Sequence, residues 1–175
     1  MKKYKLGMYL GRFQPFHNGH KFIVDQMLEE CEKIVIVIGS SQEQRTVKNP
    51  FSAIERVEMI KDVYPQSNVE TFCLPDRKEI SNDFSWGEYV LQNLAEAGFV
   101  PDAIYQGFET ERATWWITAG GGTSLICVSR LEIPISATLV RAAILEERAD
   151  FIDENCPPAV AAYIKNHKLY GRGVK

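Results

Sequence analysis

The apolar positions of the chain fall into two patterns that alternate along it. Short runs rich in β-branched residues occur at 5–10, 33–38 ("KIVIVI"), 69–74 ("VETFCL"), 103–106 and 124–129 ("SLICVS"). Runs of this kind suit strands buried on both faces. Longer segments between them carry helical spacing: "NGHKFIVDQMLEEC" from Asn18, "SAIERVEMIKDVY" from Ser52 and "SWGEYVLQNLAEAG" from Ser85. Ser52 with Glu55 forms a capping box, and Gly98 is placed to end the third helix. The "GGG" at 120–122 reads as a turn, because no Lys-Ser/Thr pair follows as a phosphate loop requires. "ISATLVRAAILEE" and "PPAVAAYIKNHKLYG" read as C-terminal helices.

Strand and helix repeated along the chain predict crossover connections between parallel neighbours. The expected class is α/β, a doubly wound, Rossmann-like parallel sheet of about five strands flanked by helices. The expected domain is single, spanning 1–175. With 45% hydrophobic and 25% charged residues, such a chain buries most of its apolar surface unaided. Its formal net charge of -3 speaks against a general binder of nucleic acid or of anionic membranes, which need a basic surplus. A local basic pocket stays compatible with that balance. Cys31, Cys73, Cys127 and Cys156 form no CxxC pair, and read as reduced core thiols of a cytoplasmic protein. The N-terminal apolar run, "LGMYL", is too short for a signal-peptide core or a membrane span.

One stretch escapes the apolar pattern. "GRFQPFHNGH" at 11–20 leaves the first strand through Gly11, Arg12 and a proline and carries His17 and His20 into the next helix. Ligands of doubly wound folds bind beyond the carboxyl ends of the strands. Gly11 permits a close backbone approach there, and a helix N-terminus with a partial charge of roughly +0.5 favours an anion. His17 and His20, at i and i+3, can face the same anion. A zinc pair competes with this reading, but zinc proteases use His at i and i+4 with an intervening Glu. A capping loop with two surface histidines competes as well. Phosphate handling accounts for more of the residues, because "ISATLVR" at 135–141 repeats the theme: Ser136 and Thr138 at a helix start, Arg141 one turn on. By itself that is a capped helix with a solvated arginine; beside the first anion site it reads as a second clamp, for the outer phosphates of a nucleotide.

"GRFQPFHNGH" together with "ISATLVR" resembles the HxGH nucleotidyltransferases. Within them, "GRFQP", "RTVKNPFSAIER" at 45–56 and "SNDFSW" at 81–86 resemble the nicotinamide mononucleotide adenylyltransferases of the archaeal type and their bacterial relatives. The resemblance runs from about residue 5 to 165. It implies transfer of AMP from ATP to nicotinamide mononucleotide, giving NAD and pyrophosphate, with Mg2+ carried by the ATP and no protein metal cage. It implies that His17, His20 and Arg141 act on the transferring phosphate and its leaving group, as catalytic residues. Gly11, Arg12, Phe13, Arg45, Lys48, Ser136 and Thr138 would complete the ATP site. Asp76, Asn82, Asp83 and Trp86 would hold the pyridine mononucleotide, Trp86 by walling the ring. Arg56 is expected to be partly structural, or else a solvated or ion-paired helix residue; Trp115 and Trp116 are expected mainly to pack.

Two positions depart from the family pattern. Leu139 stands where relatives carry an acidic residue, and "YQGFETERATWW" replaces the archaeal Gly-Asn step near the adenine. The alternatives are a sister enzyme using nicotinate mononucleotide or another phosphorylated acceptor, and a nucleotide-sensing module without turnover. The expected partners are therefore ATP and a pyridine mononucleotide, with no nucleic acid and no membrane; self-association is left open.

Overall fold

A computed structural model describes residues 1–77, 83–107, 114–116, 119, 121–129 and 133–167, with backbone only at 83–85. In chain order the elements are β1 (Tyr4–Gly11), α1 (Asn18–Glu30), β2 (Cys31–Ile38), α2 (Ala53–Val63), β3 (Val69–Cys73), α3 (Asp83–Glu96), β4 (Ala103–Gly107), β5 (Ser124–Val128), α4 (Ala137–Leu145), α5 (Ala149–Asn155) and α6 (Pro158–His167). The five strands form one sheet in the order β3-β2-β1-β4-β5, every pair parallel. The chain winds outward from β1 through β2 to β3, then crosses to β4 on the other side. The strand order thus reverses between β1 and β4, where α/β sheets open a crevice at their carboxyl ends.

The period-2 alternation of β2 assigns its side chains to two cores. Ile34, Ile36 and Ile38 join Tyr9 and Tyr105 on the face covered by Ile23, Val24 and Met27 of α1 and by Met59 and Ile60 of α2. Val35 and Val37 join Met8 and Ile104 on the other face, against Val90 and Leu94 of α3. Each fully buried aliphatic side chain of this kind stabilises the fold by about 1.5–3 kcal/mol.

Ser52 caps α2 as expected: its hydroxyl accepts from Glu55 N and the Glu55 carboxylate accepts from Ser52 N at 2.7 Å. Gly98, at φ +87°, follows the end of α3, and Gly121 and Gly122 form a positive-φ turn before β5. Gly120 lies outside the described residues.

Three expectations are corrected. The third helix begins at Asp83, two residues before Ser85. The strands buried on both faces are the inner ones; β3 and β5 are the sheet edges, and each leaves positions exposed. For that reason Cys73 and Cys127, on the edge strands, are exposed thiols, while Cys31 and Cys156 are buried; all four are unpaired. Among the described residues no helix is long and apolar enough to cross a membrane.

Candidate active site

The exit of β1 is held from below by a buried arginine. Arg56, on α2 and 1% exposed, donates from Nη1 to the carbonyls of Arg12 at 2.9 Å and Gly39 at 2.8 Å, and from Nη2 to Ser40 at 3.1 Å. Its Nε returns to Ser52 O at 3.1 Å. Neither solvated nor ion-paired among the described residues, Arg56 uses its guanidinium fork to satisfy carbonyls where two strands end and a helix begins. Gln14 makes a second tie: Nε2 donates to Phe51 O at 2.7 Å and Oε1 accepts from Phe51 N at 2.9 Å. The "GRFQP" and "NPFSAIER" segments are therefore one hydrogen-bonded unit.

Within that unit Phe13 has φ 51° and a buried ring that packs edge-on against Tyr9 and His20. A Cβ on Gly11 would stand 2.8 Å from the Phe13 ring. The glycine serves this turn as well as any ligand, and Phe13 acts as a buried wedge under the cleft floor.

His17 caps α1, and the cap is reciprocal. His17 Nδ1 accepts from Gly19 N at 3.1 Å, while His20 Nδ1 accepts from His17 N at 3.3 Å. The rings stack with centroids 3.7 Å apart at 25°. An Nδ1 that accepts from an amide carries no proton, so in the neutral ring the proton sits on Nε2. The backbone thereby sets both imidazoles as Nε2–H donors. Gly19 makes room for this: a Cβ there would lie 3.0 Å from His17 Cε1 and 3.2 Å from Ile135 Cγ2.

Opposite stands the start of α4. Ser136 Oγ accepts from Leu139 N at 3.4 Å as the N-cap. Arg141, 9% exposed, donates from Nη1 to Gln14 O at 2.9 Å and from Nη2 to Thr138 Oγ1 at 3.1 Å. It is not a solvated arginine but a bridge from α4 to the β1 exit.

These groups line one cavity of about 210 Å³ at the β1/β4 crevice. Gly11, Arg12, Phe13, His17, His20, Ser136, Thr138 and Arg141 all border it. No carboxylate does, among the described residues. Two arginines, two imidazole donors, two hydroxyls and the N-termini of α1 and α4 give this lining a chemistry that favours a polyanion. Tyr9, Gln14, Tyr105, Gln106, Trp115 and Trp116 also border it, beyond the ligand residues that the sequence points to. Gln14 sits inside the motif itself, and Gln106 is the one polar residue of the strand "AIYQG", at the strand end where sites lie.

Other expected residues are placed elsewhere. Arg45 pairs with Glu55 at 2.6 Å and donates to Pro50 O at 3.1 Å, outside the cavity lining; Lys48 is exposed on the same loop. Asp76 exchanges hydrogen bonds with the Gln42 amide at 2.9 and 3.3 Å, also outside it. The Trp86 ring meets Trp115 edge-on, centroids 6.4 Å apart, and it is Trp115 that borders the cavity. Trp115 and Trp116 both pack, as expected, and wall the cleft besides. Gly87 lets α3 approach: a Cβ there would fall on the Trp115 carbonyl. Asn82 lies outside the described residues, as do residues 108–113 of "YQGFETERATWW", and Asp83 is described by its backbone alone. The structure therefore brings Gly11, Arg12, Phe13, His17, His20, Ser136, Thr138 and Arg141 to one cavity, and leaves Arg45, Lys48, Asp76 and Trp86 outside its lining.

Comparison with known proteins places these features in a family. The cytidylyltransferase-like family model matches residues 8–143. A nicotinamide-nucleotide adenylyltransferase of Thermococcus sibiricus is 32% identical over 169 residues, covering 93% of this chain and 84% of that protein. One of Saccharolobus solfataricus is 41% identical over 87 residues, 48% of this chain and 50% of that protein. The aligned part spans about half the length of most of the curated relatives matched first. A bifunctional NMN adenylyltransferase/ADP ribose pyrophosphatase from Francisella tularensis shares the fold, with a TM-score of 0.70 and 24% identity over 82% of this chain and 43% of that one. Its complex with AMP and a manganese ion superposes with a TM-score of 0.65 and 21% identity, over 94% of this chain and 53% of that one. The HxGH turn, the Ser-capped helix with its buried arginine and the match over most of the domain agree, and the chain belongs to the cytidylyltransferase-like family, in the branch that holds the nicotinamide-nucleotide adenylyltransferases.

Proposed function

We propose that the chain transfers AMP from ATP to nicotinamide mononucleotide, producing NAD and pyrophosphate. The observation that carries this reading is the convergence of His17, His20, Thr138 and Arg141 on one cleft at the strand-order reversal, with no carboxylate in its lining among the described residues. The acceptor's 5′-phosphate oxygen attacks the α-phosphorus, and the bond from that phosphorus to the bridging oxygen of pyrophosphate breaks. The nucleophile is already an anion, so positioning and charge neutralisation matter more than proton transfer. His17 and His20 donate Nε2–H to the α-phosphate, strengthening as charge shifts in the transition state. Arg141, braced by Gln14 and Thr138, receives the leaving pyrophosphate with the α4 N-terminus.

Among the described residues no group of three or more His, Cys, Asp or Glu side chains is placed to hold a metal ion. The described lining offers hydrogen-bond donors rather than metal ligands, so a magnesium ion would be held by the triphosphate and its own waters, where it would neutralise phosphate charge.

The test is incubation with ATP, Mg2+ and, separately, nicotinamide mononucleotide, nicotinate mononucleotide or no acceptor. NAD and pyrophosphate are expected with the first. Pyrophosphate release with the acid form alone moves the assignment to a sister enzyme, and none with either mononucleotide overturns the reading.

A further inference from the structure

Gln106, the penultimate residue of β4, borders the cleft and is 7% exposed. Its Nε2 lies 3.3 Å from Cys127 Sγ, a weak acceptor on the neighbouring strand, and its Oε1 is a buried oxygen with no hydrogen-bond partner among the described residues. Native proteins seldom leave such an oxygen unpaired, and a buried orphan at a binding cleft calls for a partner that arrives. Along β4 the side chains alternate, so Gln106 shares the face of Ile104, the side on which Trp116 packs, while Tyr105 faces α1. The cleft therefore has two unlike sides. His17, His20 and Arg141 line it from the two helix starts, and Gln106, Trp115 and Trp116 line it from the α3 side of the sheet.

We propose that Gln106 is the base-reading residue of this cleft, its side-chain oxygen accepting a hydrogen bond from an exocyclic N–H of the bound base. The inference rests on the nucleotidyl-transfer reading for the class of ligand. The terminal torsion of a glutamine is broad, so the amide turns its oxygen toward the cleft with little strain when a donor is present. Two substrates of that reaction carry such a donor: the adenine amine of ATP and the carboxamide of nicotinamide mononucleotide. An apolar wall cannot reject an analogue that lacks the N–H, whereas a buried acceptor does, because it is left unpaired again.

The experiment measures equilibrium binding by titration calorimetry, so that it does not depend on turnover. Wild type and Gln106→Met are titrated with ATP and with the triphosphate of purine riboside, which lacks the amine, and with nicotinamide and nicotinate mononucleotides. Wild type is expected to bind one donor-bearing ligand about tenfold more tightly than its partner, and Gln106→Met to erase that preference while leaving the other pair's ratio unchanged. The pair that changes identifies which base is read. Because Met keeps the volume and removes an unpaired oxygen, the thermal midpoint should not fall. Unchanged ratios in both pairs overturn the proposal, as does a wild type indifferent to the donor in both. Pyrophosphate release measured in parallel separates the two readings. Turnover with unaltered discrimination removes Gln106 and keeps the reaction; altered discrimination without turnover does the reverse.

Discussion

Arg56 Nη1 donates to the main-chain carbonyl of Arg12 across 44 residues of sequence, at 2.9 Å. One side chain thereby joins α2 to the turn that begins the cleft. Arg56→Leu leaves the Arg12, Gly39 and Ser40 carbonyls without their donor. Hydrogen bonds to charged groups are worth about 1.5–3 kcal/mol each and are not additive, so a loss of roughly 3 kcal/mol or more is expected in urea unfolding. Arg56→Lys, with a point charge in place of a fork, should recover only part of it.

Gly19→Ala separates activity from stability. Alanine favours a helix by about 0.5–1 kcal/mol over glycine, which offsets part of the crowding against His17 and Ile135. The expected outcome is an unfolding free energy within about 1 kcal/mol of wild type and a turnover lowered about 100-fold, since a displaced imidazole no longer meets the reacting phosphate. Circular dichroism melts and a pyrophosphate assay read the two quantities.

His20→Ala should act on both. Loss of a preorganised donor lowers turnover by about 10²–10³. Loss of the ring that accepts from His17 N removes half of the reciprocal cap, costing about 1 kcal/mol. A purely ligand-facing histidine would show the first effect without the second. Urea titration alongside the pyrophosphate assay checks both.

Acid should weaken the fold through its paired carboxylates. Burial pushes the Glu55 carboxyl up, but hydrogen bonds from Arg45 and from Ser52 N outweigh it and hold the group below its usual 4.5. Burial likewise raises Asp102, and the amides of Lys5 and Leu6 overturn the effect, leaving it below 3.8. With folded values below the unfolded ones, the unfolded chain binds protons more readily. The contribution is therefore complete above the ordinary carboxylate range and is lost as pH falls through the folded values. The thermal midpoint should hold from neutrality down to about pH 5 and then fall. Glu55→Gln should lower the neutral-pH midpoint and flatten the acid limb.

Thiol labelling should divide the cysteines in two. Cys73 and Cys127 are exposed and should react with an aromatic disulfide reagent in the folded protein. Cys31 and Cys156 are buried, and burial pushes the Cys156 thiol up to about 12, so both should wait for unfolding. Titration of free thiols before and after addition of denaturant counts the two classes.

Much of this was legible along the chain for a physical reason. Apolar runs and helical spacing are local, so, although they miss the seven-residue α5, the order of the five strands and of α1 to α4 and α6, the Ser52 capping box and the turn at Gly121 and Gly122 could be read without coordinates. So could the anion site, because His17 and His20 lie within one turn and Ser136, Thr138 and Arg141 within another. Partners distant in sequence could not. Whether Arg56 meets solvent or three carbonyls, whether Arg45 turns to a phosphate or to Glu55, and whether Trp86 or Trp115 borders the cleft depend on which segments the sheet brings side by side. The same holds for the thiols: Cys31 and Cys73 look alike in sequence, and only the strand order puts one in the core and the other on an edge. Local chemistry was determined by the sequence alone, and the allocation of each polar group to a ligand or to the backbone was decided by tertiary packing, because a buried donor takes whichever acceptor the fold places within reach.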